Sequence, residues 1–162
     1  MSYEIHPETP VGGVRLEDLF GPRYKDMQAA LAARCRELGL ALRAPEVLSN
    51  SRLAIEAAEF ARDAGKHGEF HRAVLAAYFA RGRDIGDVGV LQEAALEVGI
   101  DPEALAGSLA EGRWAPKRIA VEQEAHRLGV HAVPTFLFDD GARVQGAQPL
   151  EYFRRLFAAM LA

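Results

Sequence analysis

Cysteine is nearly absent: Cys35 stands alone among 162 residues. No intrachain disulfide can form, and no Cys-x-x-Cys pair exists for dithiol chemistry. Apolar runs are short, and none approaches the roughly 20 residues that span a bilayer as a helix. Neither charge sign dominates. There are 19 Lys and Arg against 23 Asp and Glu, a formal net charge of −4. The basic residues are scattered rather than striped, which argues against a nucleic-acid surface. The first residues lack the basic-then-apolar pattern of a secretory signal, and the scarcity of cysteine makes the cytoplasm the default compartment. Repeats, low-complexity tracts and flexible linkers are also missing. His67 and His71 are four apart, but zinc needs three or four ligands and no His-Glu-x-x-His pattern occurs. A solvated pair is expected there, and no metal site.

What remains is an ordinary globular composition, 49% apolar and 26% charged. The length suits one domain with a real core and room for an inserted subdomain. Tyr3 and Ile5 alternate with polar residues, a scrap of strand that Pro7 stops. Pro7, Pro10, Gly12 and Gly13 make the next stretch a loop. From Leu16 to about Leu128 the period is helical. Pro22 opens a helix with Met27, Leu31, Cys35 and Leu38 on one face, and Gly39 closes it. Asn50 can cap a helix carrying Leu53, Ala57, Phe60 and Ala61, closed by Gly65. Phe70, Val74 and Tyr78 form a further stripe. Asp87 can cap a helix closed by Gly99, and Asp101-Pro102 is a cap followed by proline at the first helical position. A helix from Pro116 to Leu128 ends at Gly129.

The last third changes period. Val133 to Phe138 reads as a strand, Asp139-Asp140-Gly141 as a turn, and Ala142 to Gln145 as the returning strand. A final helix after Pro149 is expected to bury Leu150, Phe153, Phe157 and Met160. Pro134 is out of place in this scheme, because proline cannot donate to a ladder. A cis Val133–Pro134 bond at the strand's start would account for it; a trans proline opening an edge strand is the alternative.

Five segments, in order, resemble the DsbA-like branch of the thioredoxin superfamily, specifically the FrnE-type oxidoreductases. They are Tyr3-Glu-Ile-His-Pro-Glu-Thr-Pro10, Asn50-Ser-Arg-Leu-Ala54, Ala77-Tyr-Phe-Ala-Arg-Gly-Arg-Asp-Ile-Gly-Asp87, Gly129-Val-His-Ala-Val-Pro-Thr-Phe136 and Val144-Gln-Gly-Ala-Gln-Pro149. The resemblance spans essentially the whole chain. It implies an α/β, thioredoxin-like fold, incomplete because its first strand and helix are absent, with a large inserted α-helical subdomain. Residues 1–14 would be a residual thioredoxin strand and loop, 15–115 the helical insertion, and 116–162 the C-terminal half: helix, cis-proline strand, hairpin and helix. It also implies thiol–disulfide exchange on a peptide or thiol substrate, with Val133 and Pro134 binding that substrate by strand addition. Glutathione is a possible ligand.

The departure from that family is large. Its Cys-Pro-Trp-Cys-like motif sits on a strand and helix preceding the segment that starts here, so no catalytic residue carries over to this sequence. The chain is expected to be inactive alone, and either truncated or, if complete, a homo-oligomer. The absent strand would be central, leaving unpaired edges that template association. Cys35 matches no motif. It lies near the C-terminal end of its helix, where the dipole disfavours a thiolate, and is expected to be buried and inert. His131 is expected on a surface loop, Trp114 and the Tyr78-Phe79 pair in packing, and Arg81 and Arg83 with Asp84 and Asp87 in a solvated loop. Two other functions fit the same fold. One is a glutathione-dependent isomerase of the 2-hydroxychromene-2-carboxylate type, with serine in place of cysteine. The other is a non-catalytic peptide-binding module.

Overall fold

Alanine-rich helices dominate the computed structural model, which describes residues 2–161. The chain divides into two compact units, residues 1–122 and 123–162. In the first unit, β1 (Val14–Arg15) pairs antiparallel with β2 (Val47–Leu48), and α1 (Leu16–Phe20) and α2 (Arg23–Glu37) lie between them in sequence. Then come α3 (Arg52–Asp63), α4 (His67–Leu75) with a π-helical turn at Ala76–Ala80, α5 (Val88–Glu97) and α6 (Pro102–Ala110). Helix α7 (Ala115–Arg127) runs into the second unit, which holds β3 (Thr135–Leu137), β4 (Arg143–Gln145) and α8 (Leu150–Met160). Among the described residues, no helix is long and apolar enough to cross a membrane.

The core of the first unit follows from the helical period. Ala54, Ala57, Ala58 and Ala61 form a continuous small-residue stripe on α3 and are all buried. Small side chains let neighbouring helices approach closely, and Phe70, Leu91 and Leu105 fill the remaining space as the largest fully buried side chains. The caps are where the sequence places them. Asp87 Oδ1 accepts from the Gly89 amide at 2.7 Å, and Asp101 Oδ1 accepts from the Glu103 and Ala104 amides at 2.9 and 3.3 Å. Helix α3 is the exception: its cap position is Ser51, one residue later than expected, and Asn50 Oδ1 accepts from the Arg52 amide at 3.1 Å.

Four expectations need correction. Residues 3–5 are not a strand: no described strand lies beside them, and polar anchors hold the segment instead. Buried Glu4 accepts from Arg52 Nε at 3.3 Å, Arg52 Nη2 donates to the Pro7 carbonyl, and Asn50 Nδ2 donates to the Thr9 carbonyl at 2.7 Å. Helix α2 buries none of its residues, so the stripe of Met27, Leu31 and Leu38 is exposed and Cys35 is only half-buried. The regular strand, Thr135–Leu137, is shorter than the apolar run, and Pro134 and Phe138 flank it with one backbone bond each toward β4. Helix α8 buries none of its residues either. Its apolar face meets only a two-stranded hairpin within its unit, through Phe136–Phe153 and Phe138–Phe157 ring contacts at 4.9 and 6.0 Å.

Two buried carboxylates lock α3 to α7. Glu56 accepts from Arg118 Nε at 3.0 Å, and Glu59 takes Lys117 Nζ at 2.6 Å and Arg62 Nε at 3.1 Å. Burial opposes the charge on Glu59, but the hydrogen bonds from Lys117 and Arg62 outweigh it and hold the carboxyl below its ordinary value.

Candidate substrate-binding edge

The segment that carries Val133 and Pro134 is fixed from both sides. On the N-terminal side, α7 ends in a Schellman arrangement. The Val130 amide donates to the Ala125 carbonyl at 2.9 Å and the Gly129 amide to the His126 carbonyl at 2.9 Å. Gly129 has φ +66°, the left-handed conformation glycine tolerates best. Arg143, from β4, caps the same helix end: Nη1 donates to the Gly129 carbonyl at 2.9 Å and Nη2 to the Leu128 carbonyl. A cation there also suits the negative end of the helix dipole.

On the C-terminal side the hairpin sets the register. The Gly146 amide donates to the Pro134 carbonyl at 2.8 Å, and the Phe138 amide to the Ala142 carbonyl at 3.0 Å. Thr135 Oγ1 donates back to the Ala132 carbonyl at 2.6 Å. The Val133–Pro134 peptide is cis.

Antiparallel ladders alternate between bonded and non-bonded residues. With Pro134 and Phe138 bonded toward β4, Phe136 must be bonded toward it as well, opposite Val144. The backbone groups of Val133, Thr135 and Leu137 then point to the other edge. Among the described residues Val133 has no hydrogen-bond partner for its N–H or its C=O. Its side chain is 50% exposed and Leu137 is 46% exposed. The two residues singled out from sequence therefore sit at one end of an open, partly apolar strand edge.

The family model for the DSBA-like thioredoxin domain matches residues 1–158. The chain belongs to this family. It is similar to an uncharacterised protein, YwbO, of Bacillus subtilis, 26% identical over 159 residues, covering 96% of this chain and 78% of that protein. A probable DsbA oxidoreductase from Streptomyces coelicolor is similar in structure, with a TM-score of 0.84 and 29% identity, covering 96% of this chain and 71% of the other. A 2-hydroxychromene-2-carboxylate isomerase shares the fold, with a TM-score of 0.62 at 20% identity, covering 84% and 64% of the two chains. The DsbA-like fold with its helical insertion thus accounts for the mixed period of the sequence.

The DsbA-like chain places its other singled-out residues away from any assembled chemistry. Cys35 lies in an apolar groove with Leu31, Leu40, Leu75 and Phe79. His131 is exposed on the loop before Pro134. The rings of His67 and His71 stack with centroids 6.0 Å apart. His67 is committed to the Ala58 carbonyl at 3.0 Å and Arg62 Nη2 at 3.1 Å. Burial, then the neighbouring His67, holds the His71 imidazole below its ordinary value. No group of three potential metal ligands occurs among the described residues. Trp114 packs edge-on to Phe60 and donates from Nε1 to Ser108 Oγ at 2.7 Å. Arg83 pairs with Glu93 at 3.0 Å and Arg81 with Glu97 at 3.2 Å, rather than with Asp84 or Asp87. Sequence reasoning missed Arg143. Its only signal was a cation on the strand that returns toward a helix C-terminus.

Proposed function

We propose that this chain is the substrate-holding part of a FrnE-type thiol–disulfide oxidoreductase, with Val133 and Pro134 receiving an extended peptide or thiol substrate. The observation that carries this reading is the unpartnered Val133 backbone at the end of an open strand edge. An extended chain laid beside it gains main-chain hydrogen bonds without displacing any existing one. The reacting dithiol is not supplied by these residues, because a lone Cys35 can neither form nor resolve an internal disulfide. The remainder of the same edge, Thr135 and Leu137, is a surface for pairing with a second copy of the chain.

Amide hydrogen exchange of the folded chain tests the reading. Adding an unstructured, reduced cysteine-containing peptide should slow exchange at Val133 while leaving the helical core unchanged. Protection by glutathione but not by the peptide would favour the glutathione-dependent isomerase chemistry instead. Protection by neither would overturn substrate binding at this edge.

A further inference from the structure

The outward edge of β3 carries little of what keeps strand edges apart. Charged side chains and proline are two of the usual protections. No charged residue lies between Val133 and Leu137. Pro134 is there, but its carbonyl accepts from the Gly146 amide, so its missing N–H falls on the β4 side and leaves the outward edge intact. That edge offers the N–H and C=O of Val133, Thr135 and Leu137, along about 14 Å of extended chain.

The same short edge is complementary to itself. In an antiparallel pair related by a two-fold axis, residue i of one copy faces j of the other, and j faces i. With the axis at Thr135, each Thr135 faces its counterpart, and each Val133 faces Leu137 of the other copy. All three outward residues then fall at bonded positions, where facing residues exchange both backbone hydrogen bonds. A register shifted to either side leaves one of the three facing a residue beyond the edge. The side chains agree with the central register. Val133 and Leu137 are half-exposed and share a face with Thr135, so the axis sets apolar against apolar and threonine against threonine. Phe136 and Phe138 face the other way, onto Phe153 and Phe157 of α8. His131 precedes the edge and Asp139 follows it, both exposed, so the axis brings an imidazole end toward a carboxylate end rather than like toward like.

We infer that a second copy of the chain pairs antiparallel with this edge about a two-fold axis at Thr135, and that this pairing closes the Val133 substrate position. The Val133 N–H and C=O are taken by Leu137 of the other copy. A monomer can offer them to an extended substrate and a dimer cannot, so pairing with a copy and binding substrate exclude one another. The closing of the site rests on the function proposed above; the register does not.

The register is tested on the unaltered chain without peptide. Amide exchange is followed over a dilution series that crosses the dimer–monomer midpoint found by light scattering. The Val133, Thr135 and Leu137 amides should all slow as the dimer forms, Val133 by at least about tenfold. A dimer that slows Thr135 and Leu137 but not Val133 would overturn the inference, since it reports a shifted register. So would a chain that stays monomeric throughout. The closing is tested with the reduced cysteine-containing peptide. Its apparent affinity should fall about fivefold when the chain is raised from far below its dimer dissociation constant to tenfold above it, because only about a fifth of the chains are then monomeric. Leu137→Pro should bind the peptide equally at both concentrations. Equal affinity in the unaltered chain would overturn the closing. Peptide protection in neither chain would overturn the substrate reading instead, and the peptide-free series would still decide the register. That series uses no variant, so it stands even if Leu137→Pro fails to fold.

Discussion

At the scale of single residues, the strongest commitments are buried charges that hold their partners. The Glu59 carboxyl has a folded-state pKa below its ordinary value of 4.5. A group of that kind contributes stability that is fully present above its unfolded pKa and is lost as pH falls through its folded pKa. Thermal midpoints measured from pH 6 downward should therefore fall below about pH 4.5. A Glu59→Gln chain should show a shallower fall over the same window. Lys117→Met, which removes the contact at 2.6 Å, should cost about 1 kcal/mol at neutral pH by chemical denaturation. A smaller figure than for a fully buried pair is expected because Lys117 itself is part-exposed. Asp101→Ala should cost about 1 kcal/mol in the same assay, since it strips two amides at the start of α6 of their acceptor. Peptide-dependent protection at Val133, in the other unit, should survive both changes.

At the scale of elements, the helix end at Gly129 and the strand after it act as one device. An alanine at Gly129 must adopt φ +66°, and its Cβ would meet Arg143 Nη1 at 3.0 Å. Gly129→Ala should therefore cost about 1–2 kcal/mol by urea denaturation. It should also loosen the approach to Pro134, seen as faster amide exchange from Val130 to Ala132. Much of this was legible beforehand. The glycines that close helices, the Asp87 and Asp101 caps and the Asp-Gly turn are local signals, fixed by backbone geometry within a few residues. Elements whose state depends on a distant neighbour were not legible. Tyr3 and Ile5 alternate as a strand does, but alternation cannot supply a partner strand, and Glu4 is held by Arg52 instead. The stripe on α2 has core spacing, yet spacing cannot say whether another surface covers it. Arg143 was invisible for the same reason, since its carbonyl partners lie 14 and 15 residues away.

At the scale of the whole molecule, the sequence and the structure agree on a DsbA-like chain with one thiol and an open strand edge. The thiol sets the first consequence. Disulfide exchange with turnover needs an attacking thiolate and a second thiol to resolve the mixed disulfide. The chain should therefore reduce insulin, in a dithiothreitol-coupled turbidity assay, no faster than its own Cys35→Ser variant. A clear excess over that control would show that Cys35 is catalytic despite its apolar groove. The edge sets the second consequence. Thr135 and Leu137 present backbone groups away from β4, and an unpaired edge recruits another strand unless something blocks it. Light scattering coupled to size exclusion should then show the purified chain as a dimer or larger, with mass rising with concentration. Leu137→Pro removes one outward N–H and keeps the Phe136 and Phe138 bonds toward β4, so it should return the chain to a monomer with its helix content intact. A wild-type chain that remains monomeric at high concentration would restrict the edge to substrate. Association that persists in Leu137→Pro would instead locate the contact on another surface, such as the exposed apolar stripe of α2.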